Sequence, residues 1–200
     1  MNYSFKEDFQ RGLVPNGITL AGILTLPGIF LSHSAGIIWL AIAYLSVGWF
    51  CDWLDGFIAR RFNMQSKIGD FFDPLADKIF TTSLLIYFWD RIPMVAGIGI
   101  ISFGVLATVG RIIILSAGKK LKIEINVMAN MAGKFKTNFE KAGIAGLLLL
   151  DLFALHWPTI PVTETLSTLT LILLWGSLPL AVISFINLWR KLRVLYCSYN

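Results

Sequence analysis

Hydrophobic residues in this chain come in long runs, and the segments between the runs are short, polar and rich in Lys and Arg. A helix needs roughly 20 predominantly apolar residues to cross a bilayer. Six stretches approach that length, at about 16–32, 36–59, 69–89, 94–117, 142–157 and 166–189. The fifth is short unless it begins earlier, near Asn130. Ahead of the first, Phe5, Phe9 and Leu13 recur at helical spacing among Lys6, Glu7, Asp8, Gln10 and Arg11. That pattern suits a helix lying along a membrane surface, with Pro15 turning the chain into the bilayer. The expectation is an all-α integral membrane bundle of six transmembrane helices with an N-terminal juxtamembrane amphipathic helix, organised as a single domain over 1–200.

Composition supports this class. Apolar residues make up 56% of the chain and charged residues only 14%, with a mean hydropathy of +0.71, which leaves too little polar surface for a soluble globule. The basic residues orient the bundle, because Lys and Arg collect in short cytoplasmic loops. Lys6, Arg11, Arg60, Arg61, Lys67, Lys119, Lys120, Lys122, Lys134, Lys136, Lys141, Arg190, Lys191 and Arg193 all fall on one side of the six-span topology, against Arg91 on the other. Both termini are therefore expected in the cytoplasm, most simply at a bacterial inner membrane. Trp39, Trp89 and Trp157 near the outer ends, and Trp53 and Trp189 near the inner ends, fit interfacial belts. A pI near 9.3, carried by membrane-adjacent loops, points to anionic lipid head groups and not to nucleic acid. Cys51 and Cys197 are far apart in this topology and are not expected to form a disulfide. Acidic Glu7 and Asp8 before the first run do not make a signal-peptide pattern.

The exceptions to the apolar pattern carry the chemistry. Asp52, Asp55, Asp73 and Asp77 lie inside the second and third spans, where each unpaired charge costs on the order of 2.5–3.5 kcal/mol to insert. At about 100° per residue, Asp52, Asp55, Gly56 and Ala59 share one face of their helix, as do Gly69, Asp73 and Asp77 of theirs. Small residues on these seams, Gly56, Ala59, Gly69 and Ala76, allow close approach of backbones. The short connection over 60–68 keeps the two helices adjacent, so the four carboxylates are expected to converge. Hard oxygen donors at this density suit Mg²⁺ or Mn²⁺, two ions clamping a phosphate or pyrophosphate. Arg60 adds a bidentate phosphate donor, and zinc is disfavoured because no His or Cys joins the cluster.

Asp52, Asp55, Gly56, Ala59, Arg60, Gly69, Asp73 and Asp77 together resemble the signature of the CDP-alcohol phosphotransferase family, with every fixed position and spacing present. The resemblance implies a six-helix membrane enzyme, often homodimeric, that moves a phosphatidyl or similar group from a CDP-linked donor to an alcohol and releases CMP. By motif position, Asp52, Asp55 and Asp73 would ligate the two metal ions. Asp77 would complete the second ion's coordination and act as general base, and Gly56, Arg60 and Ser66 would line the CDP site. Pro15-Asn16-Gly17-Ile18-Thr19, Gly110-Arg111 and Gly133-Lys134-Phe135-Lys136-Thr137 are similar to the branch that makes phosphatidylglycerophosphate or cardiolipin. That similarity implies CDP-diacylglycerol as donor and sn-glycerol 3-phosphate as acceptor, the acceptor phosphate being held by Arg111, Lys134 and Lys136. Asn16 and Thr19 would touch the donor or cap the first helix. Two positions depart from that branch: Ala21-Gly22 stands where an Arg is usual, and Ile112 where an acidic residue is.

Other readings remain open at this level. Within the enzyme class these are a cardiolipin synthase using phosphatidylglycerol and an inositol-phosphate-type transferase. The rival class is a cation or proton transporter, since intramembrane carboxylates also mark ion paths. Asp70 is expected to face water or pair with a base, and His33 and His156 to be interfacial.

Overall fold

The computed structural model describes residues 5–62, 64, 66, 69–121, 131–157 and 162–199. Within them the elements are all helical: α1 (Phe5–Ile23), α2 (Thr25–Ser34), α3 (Ile38–Arg61), α4 (Gly69–Tyr87), a 3-10 turn (Trp89–Arg91), α5 (Met94–Leu121), α6 (Met131–His156) and α7 (Val162–Tyr199). Gly12–Ser34 and Thr163–Arg190 are each long and apolar enough to cross a membrane, and Met94–Gly110 is apolar but shorter. Lys67 and Lys122, counted among the cytoplasmic basic residues, lie outside the described residues, as do the side chains of the N-terminal amphipathic pattern up to Arg11; Leu13 is exposed.

The first break falls at a different proline from the one expected. α1 runs continuously through Pro15, and the chain breaks instead at Leu24. Pro27 is the physical reason: it lacks the N–H that would bond the Ile23 carbonyl, and its ring crowds that group. Pro27 is tolerated within the first turn of α2, so the helix restarts just ahead of it. The surface arm and the first span thus begin as one helix. α6, the helix over the fifth apolar run, begins at Met131, close to the earlier of the two expected starts.

Gly36 closes α2. Its φ of 74° places it in the left-handed region, its N–H bonds the His33 carbonyl at 2.9 Å, and the Ile37 N–H reaches back to Ser32 at 2.9 Å. This is the paired bonding of a glycine-terminated helix.

The chain packs as two compact units, Met1–Tyr87 and Phe88–Asn200. In the first, α1 packs against α3 and α4, and α2 against α3. Gly48 is the meeting point, because a Cβ there would stand 2.7 Å from Phe80 of α4 and 2.8 Å from the Thr25 hydroxyl. Ile29, Ala41, Leu45, Leu84 and Leu85 fill the interior, and His33 Nδ1 meets the Tyr87 hydroxyl at 2.9 Å. Many large apolar side chains face outward instead, among them Leu31, Trp39, Phe50, Trp53 and Ile86. So much outward apolar surface fits lipid as the surrounding solvent.

In the second unit α7 packs along both α5 and α6, and glycines set the spacing. A Cβ at Gly143 would lie 2.7 Å from Leu174, one at Gly99 2.4 Å from Leu178, and one at Gly146 2.3 Å from the Thr170 hydroxyl. Arg91, the lone outward base of the expected topology, is ion-paired with Asp151 and ties the 3-10 turn to α6. Gly146→Ala should destabilise the protein by about 1–3 kcal/mol through overpacking. Thr170→Ala on that background should recover part of the loss, because the two sites share one contact. Thermal unfolding in detergent checks both.

Candidate active site

α1 supplies a group that joins the two carboxylate helices. Gly22 makes this possible, since a Cβ there would stand 3.1 Å from Cys51 Cβ and 3.3 Å from the Gly48 carbonyl oxygen, so α1 and α3 approach closely. One turn along each helix, the buried Thr19 hydroxyl lies 2.5 Å from Asp55 Oδ2. The same oxygen lies 3.5 Å from Asp73 Oδ1 on α4 and 3.1 Å from the Pro15 carbonyl. A hydroxyl has one proton to donate, and the shortest contact gives it to Asp55. Asp55 is 3% exposed, deep enough that its charge needs such partners.

Two of the four carboxylates therefore meet at one atom. Asp52 sits at an exposed position of α3, and Asp77 is half-buried on α4, one turn beyond Asp73. Among the described residues no group of three or more His, Cys, Asp or Glu side chains stands ready to hold a metal ion. The donor set itself is all carboxylate, the hard oxygen that Mg²⁺ prefers.

A second corner forms where α1 meets the start of α4. The Ser66 hydroxyl accepts the Gly69 N–H at 2.9 Å, capping α4. A Cβ on Gly12 would come 2.4 Å from Ser66 Oγ, and one on Gly69 would be 3.1 Å from both Ser66 Oγ and Asn16 Oδ1. Gly12, Asn16, Ser66 and Gly69 thus share one tight place. Asn16 Oδ1 is buried there and accepts no hydrogen bond among the described residues, so among them its acceptor lone pairs are unused. On α3 the Arg60 guanidinium folds back over Gly56, whose absent Cβ would stand 3.3 Å from an Arg60 nitrogen.

The expected acceptor-binding residues belong to the second unit. Arg111 is carried by α5, with its side chain outside those described, and Lys134 is exposed on α6. Lys136 is buried, its Nζ 2.7 Å from Glu140 Oε1. The side chain of Asp70 also lies outside those described, and His156 is exposed, with Nδ1 3.1 Å from the Leu152 carbonyl.

Three features escape the sequence pattern. Thr19 bridges helices where a cap or a ligand contact is expected, Gly12 makes room for Ser66, and Glu140 pairs with Lys136. Only the last had a visible signal, a base and an acid four residues apart on one helix.

A family model described as CDP-alcohol phosphatidyltransferase matches residues 12–193, which includes both units. The chain is similar to the CDP-diacylglycerol--glycerol-3-phosphate 3-phosphatidyltransferase of Bacillus subtilis, 33% identical over 70% of this chain and 78% of that protein. The Escherichia coli protein of the same name is 27% identical over 68% of this chain and 76% of its own. A rice cardiolipin synthase (CMP-forming) is 29% identical over 70% of this chain and 44% of its length.

Proposed function

Because the chain belongs to the CDP-alcohol phosphatidyltransferase family, and is thereby an enzyme of phospholipid biosynthesis, we propose that its reaction moves the phosphatidyl group of CDP-diacylglycerol to sn-glycerol 3-phosphate. The products are CMP and phosphatidylglycerophosphate. The names of the Bacillus and Escherichia relatives support this acceptor. The observation that carries the site is the meeting of Asp55 and Asp73 at the Thr19 hydroxyl, in the stretch that bears the signature.

In this reading Asp52, Asp55, Asp73 and Asp77 would hold two Mg²⁺ or Mn²⁺ ions, Asp55 and Asp73 being the two that already meet at Thr19. What the ions supply when bound is neutralisation of charge on the pyrophosphate oxygens. Arg60, lying over Gly56, donates to the same phosphates. The buried Asn16 carbonyl takes an N–H from the cytosine, with Ser66 and Gly69 closing the corner. Asp77 removes the acceptor hydroxyl proton as its oxygen attacks the lipid-linked phosphorus, and the bond to CMP breaks with its electron pair on the departing phosphate. Arg111, Lys134 and Lys136 hold the acceptor's phosphate.

We read residues 1–200 as one functional domain of six spans, with both termini and the site at the cytoplasmic face of a bacterial inner membrane, acting as a homodimer among anionic lipids. Family membership removes the transporter alternative. The rice relative keeps phosphatidylglycerol as a second acceptor to test.

Purified protein in detergent with CDP-diacylglycerol and Mg²⁺ should release CMP when given sn-glycerol 3-phosphate. Lys134→Gln should raise the half-saturating concentration of that acceptor about tenfold, as expected for losing a charge-assisted hydrogen bond. CMP release with phosphatidylglycerol but not glycerol 3-phosphate would replace the acceptor. Release with no alcohol in a broad panel would refute the reaction.

A further inference from the structure

We propose that Glu140 is a positioning residue for the phosphorylated acceptor and acts through Lys136, an inference that rests on the acceptor reading above. Lys136 Nζ stands 2.7 Å from Glu140 Oε1, and the two side chains are only 7% and 0% exposed. Both belong to α6, where the next turns bury Ile144, Leu147 and Leu148.

Stability does not explain a carboxylate there. A buried ion pair loses more solvation than an apolar pair of similar volume, and replacing such a pair by packed hydrophobic residues is often neutral or stabilising. The order along the helix also works against a purely local role, since Glu before Lys is the favoured arrangement and here Lys comes first. Lysine this near a helix surface ordinarily extends its ammonium outward to solvent or head groups, yet Lys136 stays inside.

What the pair does achieve is to fix one ammonium in place. The stretch of α6 that bears it is pressed on α7 from two sides. A Cβ on Gly176 would stand 3.1 Å from the Phe139 ring, and one on Gly143 2.7 Å from Leu174. A carboxylate on so constrained a turn holds its ion-pair partner at 2.7 Å, which is how an outer residue sets a ligand-binding one. An ammonium carries three donors, which lets one lysine serve both a carboxylate and a phosphate.

The test measures CMP release against acceptor and donor concentration separately. Glu140→Leu should raise the KM for sn-glycerol 3-phosphate by about 10–100-fold, the usual cost of removing such an outer partner, and leave the KM for CDP-diacylglycerol unchanged. Glu140→Gln, whose amide oxygen still accepts from Lys136, should restore the acceptor KM to within about threefold of wild type. The double variant Lys136→Met with Glu140→Leu should unfold at the wild-type temperature or above, and should show the same acceptor KM as Lys136→Met alone, because Glu140 acts only through Lys136. An unchanged acceptor KM in Glu140→Leu overturns the proposal. So does a parallel change in both KM values, or a double variant clearly worse than Lys136→Met. Wild-type protein that releases CMP with no phosphorylated acceptor defeats the acceptor reading and this inference together, whereas an active wild type with an indifferent Glu140→Leu defeats the inference alone.

Discussion

Asp77→Asn should lower kcat for CMP release by about 10²–10⁴-fold, the range a general base contributes, while leaving the protein folded. Asp77 is one helical turn beyond Asp73 on α4, and Asp73 Oδ1 reaches the Thr19 hydroxyl that also contacts Asp55. A ligand gathered at that hydroxyl is therefore within a turn of Asp77, which is half-buried and so open to it on one side. Asparagine keeps the shape and one oxygen but cannot take a proton. Transition-state loss without ground-state loss means kcat and kcat/KM fall together, so KM for CDP-diacylglycerol should stay within a fewfold of wild type. Activity within tenfold of wild type would assign proton removal to another group.

Much of this arrangement could be anticipated from apolar run length and seam spacing alone, because both depend on periodicities local to one helix. The apolar runs become α1 through α7, and Asp52, Asp55, Asp73 and Asp77 do lie on α3 and α4. What local pattern does not encode is which third helix comes between. Thr19 looks like a cap or a ligand contact until α1 is packed on α3, and that packing depends on the absence of a Cβ at Gly22 and Gly48. Pro15 and Pro27 show the same limit. Pro15 reads as a breaker yet sits inside α1, and it is Pro27 that forces the break at Leu24. The Lys136–Glu140 pair was legible as spacing, but its burial follows from α7, where Leu174 and Thr170, more than twenty residues further along the chain, press on Gly143 and Gly146.

The largest loss is expected at Asp55. Asp55→Asn should reduce CMP release by about 10³-fold or more, since a carboxylate at a divalent-ion site contributes several kcal/mol of charge stabilisation. Its burial sharpens the effect. At 3% exposure water cannot enter to replace the missing charge, and the amide presents an N–H where an acceptor is needed, facing the Thr19 hydroxyl at 2.5 Å. Thr19→Val isolates the role of that hydroxyl. It keeps the β-branched shape in α1 and removes only the donor, a charge-assisted bond worth about 1.5–3 kcal/mol. If the hydroxyl orients Asp55 for metal, Thr19→Val should raise the Mg²⁺ concentration for half-maximal activity about tenfold or more, with partial recovery in excess Mg²⁺. Asp55→Asn should not recover at any Mg²⁺ concentration, because a ligand is missing and not merely misaligned. The alternative is that Thr19 and Asp55 only hold α1 against α3. Then Thr19→Val would lower the unfolding temperature, and the Mg²⁺ dependence of the surviving protein would match wild type. Mg²⁺ titration and thermal unfolding on the same preparations separate the two, since a metal-site defect moves the first and a packing defect the second.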